Sequence, residues 1–198
     1  METLRRYFID TEFYPDADGH SHPISFGLIA QDDKGPGLYA IAAEFNKAAC
    51  THQWVNLHVI PKLDDKAPRL SRPQMADALT NYLNPAETIE FWARNGSYDF
   101  YHLCQIYGSM GHLFDRLDKQ LGIKKVIFRD INELHRQAGN PDLPKPPDDL
   151  AHISIVDATW DRDLFRELER RAALHSVRPA QIARTITTGI RAWLKGPL

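Results

Sequence analysis

The chain has 198 residues, 43% hydrophobic and 25% charged, with a formal net charge of -2. That length and balance suit one globular domain over residues 1–198 with a sizeable core, and exclude fibrous and disordered compositions. A pI near 6.5 gives no global argument for a polyanionic partner. No apolar run approaches the roughly 18 residues of a membrane span, and the opening METLRRYFID lacks the apolar stretch of a signal peptide, so a cytoplasmic protein without membrane association is expected. Cys50 and Cys104 stand far apart and support neither a disulfide framework nor a zinc site.

In chain order, YFIDTEF, ISFGLIAQD and LYAIAAEFN are apolar or alternating runs separated by Asp, Gly and Pro clusters, which predicts a meander of three strands. WVNLHVIPKL predicts a short helix or turn stopped near Pro61. Ser71 is placed to cap a helix over PQMADALTNYLN, where Met75, Ala78, Leu79 and Tyr82 fall at helical spacing. IEFWAR reads as a strand, NGSY as a loop and DFYHLCQIYGSM as a helix. VIFRDINELHRQAG brings another strand and a short helix, and GNPDLPKPPDDL is a proline-rich interruption. HISIVDATWDRDLFRELERRAALH has helical periodicity, with Val156, Trp160, Leu164 and Phe165 inward, and PAQIARTITTGIRAWL is expected as a separate last helix. Hairpin strands followed by strand-helix alternation predict an α/β fold: a mixed central sheet, part antiparallel meander and part parallel, flanked by helices.

The acid pair in YFIDTEF carries the first chemical signal. Asp10 and Glu12 are two residues apart, so in a strand both project from one face while Thr11 faces away. Two like charges beside a core ask for a cation between them, and hard oxygen donors select Mg²⁺ or Mn²⁺ rather than zinc. The bland alternative is a strand end meeting solvent. Asp99 follows NGSY, where a helix N-cap is the competing role. His152 and Asp157 lie five apart after the proline-rich segment, a spacing common by chance. From Trp160 onward Arg162, Arg166, Arg170, Arg171, Arg178, Arg184, Arg191 and Lys195 outnumber Asp161, Asp163, Glu167 and Glu169. This basic helical segment from about 160 is either a flank that leads a phosphate polymer to the acidic pocket or a solvated helix face.

Taken in order, Asp-x-Glu on a first strand, a further Asp after a later strand and a final His-x4-Asp resemble the DEDDh exonucleases of the ribonuclease-H-like fold. DTEF, WVNLHVIPKL, FWARNGSYDFYHLCQIYG and HISIVDATWD are similar to a compact mycobacterial and phage group of polyadenylate-directed 3'-5' exoribonucleases, over roughly residues 5 to 170. The resemblance implies a hydrolase that releases nucleoside 5'-monophosphates from RNA with a free 3' end. It implies two Mg²⁺ or Mn²⁺ ions on Asp10, Glu12, Asp99 and Asp157, with His152 as general base. The proline-rich segment just before His152 is either a mobile arm that lets the base swing in when substrate binds or a stiff connector. Phe13 follows the acid pair where related enzymes wedge the terminal base. Trp54 and Trp92 are further stacking candidates, with core packing the competing role for Trp92, and Asn95 is a candidate hydrogen-bonding residue for the nucleotide. Related compact enzymes pair through helices, so a homodimer is compatible. Two readings stay open beside RNA cleavage: a single-stranded DNA exonuclease with the same site, and a silent nucleic-acid-binding module.

Overall fold

The acid pair lies within β1, Leu4–Pro15, whose inner residues alternate between two cores. Tyr7 and Ile9 point into one cluster, Phe8 into the other, and Asp10 and Glu12 share the parity of Phe8. In a computed structural model that describes residues 3–16, 18–32, 35–143 and 149–193, with side chains as far as residue 173, the expected meander is present. β1 pairs antiparallel with β2 (Ser21–Ala30), and β2 with β3 (Leu38–Ala42). The β1–β2 register shifts between Glu12 and Phe13, a bulge that re-aims the strand directly after the acid pair.

Beyond the meander the strands turn parallel. A short 3-10 turn (Lys47–Ala49) precedes α1 (Gln53–His58), and a second, Ile60–Lys62, follows it. Tyr14, Ile24, Cys50, Val55, Val59 and Ile60 close a small core there. A two-residue strand, β4 (Arg69–Leu70), pairs parallel with β3, an element too short to announce itself in the sequence. α2 (Arg72–Tyr82) starts where expected: the Ser71 N–H donates to Gln74 Oε1 at 2.9 Å in a capping box. β5 (Thr88–Ala93) pairs parallel with β1, and β6 (Lys125–Asp130) with β5.

The resulting sheet has the order β4-β3-β2-β1-β5-β6, with β1 near its middle. It is an α/β fold consistent with the ribonuclease-H-like arrangement. α2, α3 (Ser97–Ile106) and α4 (Met110–Leu121) cover the face that holds Tyr7 and Ile9; α5 (Ile131–Gln137) and α6 (Ser154–Trp193) cover the face that holds Phe8.

Three helical expectations need correction. α3 begins at Ser97, two residues earlier than predicted, and stops at Ile106, because Gly108 at φ 91° breaks the chain and Ser109 caps a new helix by accepting from the His112 N–H. That helix, α4, was not anticipated; only Leu113 and Leu117 of it are buried. α6 is one continuous helix through residue 193, where two were expected.

α6 crosses β1 and β2 at its start. Gly27 lies opposite Asp10 in the ladder, and a Cβ there would sit 2.4 Å from the backbone of Ser154 and Ile155. The side chains of Ser25 and Ser154 share a hydrogen bond of 3.1 Å across the same contact. Only a bare backbone lets the first turn of α6 rest on the sheet beside the acids. Gly27→Ala is therefore expected to cost about 1–3 kcal/mol or more in a urea-unfolding series, because the obstructing atoms are backbone and cannot rotate away. A variant as stable as the native protein would show that this approach is loose.

Candidate metal-dependent active site

β5 ends at Ala93, which leaves the edge of β1 beyond Phe8 without a ladder partner on that side. The chain turns through Asn95, in the left-handed region at φ 58°, into α3, with Gly96 at the N-cap position. Asp99 is thus inside the first turn and is not the cap. Its Oδ1 accepts from the Thr11 N–H at 2.7 Å and from the Thr11 hydroxyl at 2.8 Å, taking the place that a neighbouring strand would fill. Thr11, facing away from the acid pair, is what ties α3 to β1.

From the opposite layer, Asp157 comes in on the first turn of α6. His152 precedes that helix at φ 66°, and its N–H donates to Asp157 Oδ2 at 2.7 Å. Its ring lies edge-on to Trp54, with centroids 4.7 Å apart, and Nδ1 is 4.0 Å from Glu12 Oε1, too long for a direct hydrogen bond and suited to a water between them. Ligand atoms of Glu12, His152 and Asp157 all lie within 4.8 Å of one another.

The electrostatics of this cluster follow from burial and crowding. Burial first, then the charges of Glu12, Asp99, Asp157 and Asp161, raise the Asp10 carboxyl well above the usual range. Glu12 is pushed up to about 8, chiefly by burial and next by Asp157, and Asp99 to about 6, chiefly by burial against the opposing Thr11 hydrogen bonds. Burial also raises Asp157 and lowers His152, so the imidazole is neutral near pH 7. Asp10 Oδ2 is shut off from solvent without a hydrogen-bond partner. A buried carboxylate oxygen with no donor, in an oxygen-rich set, is the vacancy in the hydrogen-bond inventory that a hard divalent cation fits.

The remaining predicted residues fall in different places. Phe13 stacks on the half-exposed ring of Tyr98 at 4.6 Å and leans on His102, and Trp54 is 45% exposed beside His152. Trp92 packs against Phe165 in the α6 core and donates its indole N–H to Glu90, which is the packing role weighed against stacking. Asn95 accepts from the Asn132 side chain at 2.6 Å, tying the loop to α5. The proline-rich residues 144–148 lie outside the described residues, as do the side chains of Arg178, Arg184, Arg191 and Lys195. The described part of the basic tail is ion-paired: Arg162 and Arg166 with Asp163, and Arg170 and Arg171 with Glu167.

Two functional neighbours were missed in the sequence. Asp161, 3% exposed, accepts from the Arg94 N–H at 3.2 Å and is pushed up to about 7, mainly by burial. Its signal was its spacing: it stands one helical turn from Asp157. Lys62 ends the turn after α1 and donates to the Ala151 carbonyl at 2.8 Å. Nothing in WVNLHVIPKL marks that lysine.

Among known proteins, 3'-5' exoribonucleases from two strains of Mycobacterium tuberculosis, CDC 1551 / Oshkosh and ATCC 25618 / H37Rv, are each 37% identical to the chain over 166 residues, covering 81% of the chain and 91% of the relative. The chain belongs to this 3'-5' exoribonuclease family. No protein-family model matches it. Among the described residues no helix is long and apolar enough to cross a membrane.

Burial gives the acid cluster a measurable consequence for stability. The folded pKa values of Glu12, Asp161 and Asp99 lie above their ordinary values, so the fold favours the protonated carboxyls. The stability this contributes is full below about pH 4 and is lost as pH rises through roughly 6 to 8. In chelator the melting temperature should fall across that window, and the rise on adding Mn²⁺ should be larger at about pH 8 than at about pH 5. Equal Mn²⁺ gains at both pH values would remove the cation from this cluster.

Proposed function

We propose that the protein is a metal-dependent 3'-5' exoribonuclease of the DEDDh type, removing nucleoside 5'-monophosphates from the 3' end of RNA. The reading is carried by the mutual repulsion of Asp10, Glu12, Asp99 and Asp157, brought together from β1, α3 and α6, with the buried Asp10 Oδ2 unpartnered. The mycobacterial relatives, themselves 3'-5' exoribonucleases, support the exoribonuclease part of this reading.

In this reading the four carboxylates hold two Mg²⁺ or Mn²⁺ ions. When bound, such a pair supplies an acidified water and charge stabilisation at the leaving oxygen. The chain's own residues do the rest. Thr11 fixes Asp99, and the resting of α6 on Gly27 fixes Asp157, so the donors are set before substrate arrives. His152, neutral near pH 7, accepts the proton of the attacking water at Nδ1, the ring nitrogen that looks toward Glu12. The new bond forms between that water's oxygen and phosphorus, and the bond to the 3' oxygen of the preceding nucleotide breaks, leaving a fresh 3' hydroxyl. The Phe13–Tyr98 pair and exposed Trp54 flank the acids and offer faces on which terminal bases stack at about 1–3 kcal/mol each, independent of base identity.

The test is digestion of a 5'-labelled RNA oligomer in Mg²⁺, Mn²⁺ or chelator, with the matching DNA strand and a circular RNA as parallel arms. A descending ladder from the 3' end, abolished by chelator, with the circle intact, is expected. Asp10→Asn should lower turnover by orders of magnitude, and His152→Ala should lower kcat by about 10² to 10⁴ with KM little changed. Faster digestion of the DNA strand would favour the DNA reading, cuts in the circle would make the protein an endonuclease, and binding without turnover would make it a silent module.

A further inference from the structure

One peptide group beside the acids is held at both ends. The carbonyl of the Ala151–His152 peptide accepts from Lys62 Nζ at 2.8 Å, and the N–H of the same peptide donates to Asp157 Oδ2 at 2.7 Å. An ammonium on the oxygen and a carboxylate on the N–H polarise the group in the same sense, so each bond strengthens the other. His152 is in the left-handed region at φ 66°, a conformation that an L-residue with a ring side chain keeps only where its surroundings impose it. The imidazole is buttressed by Trp54, which belongs to the same α1-and-turn segment as Lys62. That segment therefore grips His152 twice, by ring and by peptide.

We propose that Lys62 is a positioning residue: it clamps the Ala151–His152 peptide between itself and Asp157, and so holds the His152 imidazole toward Glu12. The inference rests on the reading of His152 as the proton acceptor. The clamp ties the backbone of the base to a carboxylate of the acid cluster through a single rigid plane, and the Trp54 contact holds the ring that this backbone carries. Methionine, unbranched, neutral and one atom shorter, would fill most of the space and lose the charge-assisted bond, whereas arginine can still donate to the carbonyl.

Lys62→Met and Lys62→Arg separate this role from packing, each made alone and on the His152→Ala background. In chelator-treated protein, exchange of the His152 amide, followed by NMR, should quicken by about tenfold or more in Lys62→Met and stay within about threefold of native in Lys62→Arg, while amides of β5 keep their native rates. With RNA, Lys62→Met should lower kcat by about tenfold with KM within about twofold, and should change kcat by less than about twofold once His152 is alanine. Native exchange of the His152 amide in Lys62→Met, or equal quickening in β5, would overturn the clamp. So would a loss carried by KM, or a kcat loss of the same size on both backgrounds, since Lys62 would then act on the substrate directly. If the native protein degrades no RNA, the activity reading fails, and the exchange rates still decide the clamp.

Discussion

Four carboxyl groups that repel one another are brought together by a fold that gives them little water. A chain that buries acids this way spends stability unless a cation relieves them, and much of the local architecture consists of devices that keep them together. Thr11 presents its N–H and hydroxyl to Asp99, so α3 is attached to β1 through a site carboxylate. Gly27 gives up its side chain so that α6 can bring Asp157 across the sheet. The cations nearest the cluster are placed at its margins: Arg94 lowers Asp157 and Asp161, and Lys62 lowers Glu12 and Asp157, without any of these being brought back to its ordinary range.

This arrangement also explains the division of labour between the two layers. The α2–α4 layer supplies one acid and Tyr98, on which Phe13 of β1 stacks, and the α6 layer supplies Asp157 and, just before it, His152. Arg94 spans the two. It stacks over Trp160 of α6 at 4.4 Å while its backbone N–H is accepted by Asp161, and it leads directly into the loop that delivers Asp99.

Much of the site was legible in the sequence because period two in a strand is a strong constraint: Asp10 and Glu12 had to share a face once YFIDTEF was a strand. The order of the later acids did the rest. What stayed hidden depended on tertiary contact. Asp99 reads as a helix cap until Thr11 is known to be its partner. Asp161 looks like one acid in a charged helix until Arg94 closes over it. The left-handed turn at His152 carries no glycine to announce it, since Lys62, Asp157 and Trp54 impose it from outside. α4 escaped because the apolar stretch before it ran on past Gly108, and β4 because two residues hold no period. The basic tail shows the reverse case: its described arginines are occupied by acids one to four residues away, a pairing that a tally of charges overlooks.

The central claim is that the buried acids are a divalent-cation site, and proton release measures it without reference to turnover. Glu12 is pushed up to about 8 and burial raises Asp10 well above its ordinary range, so a cation that binds them near pH 7 displaces protons. Titrating Mn²⁺ into chelator-stripped protein by calorimetry, in buffers of different ionisation enthalpy, counts them. Release of about one proton or more per protein, lost in Asp10→Asn, is the result the account predicts. Binding that releases no protons, or that persists unchanged in Asp10→Asn, would place the cation elsewhere and contradict it.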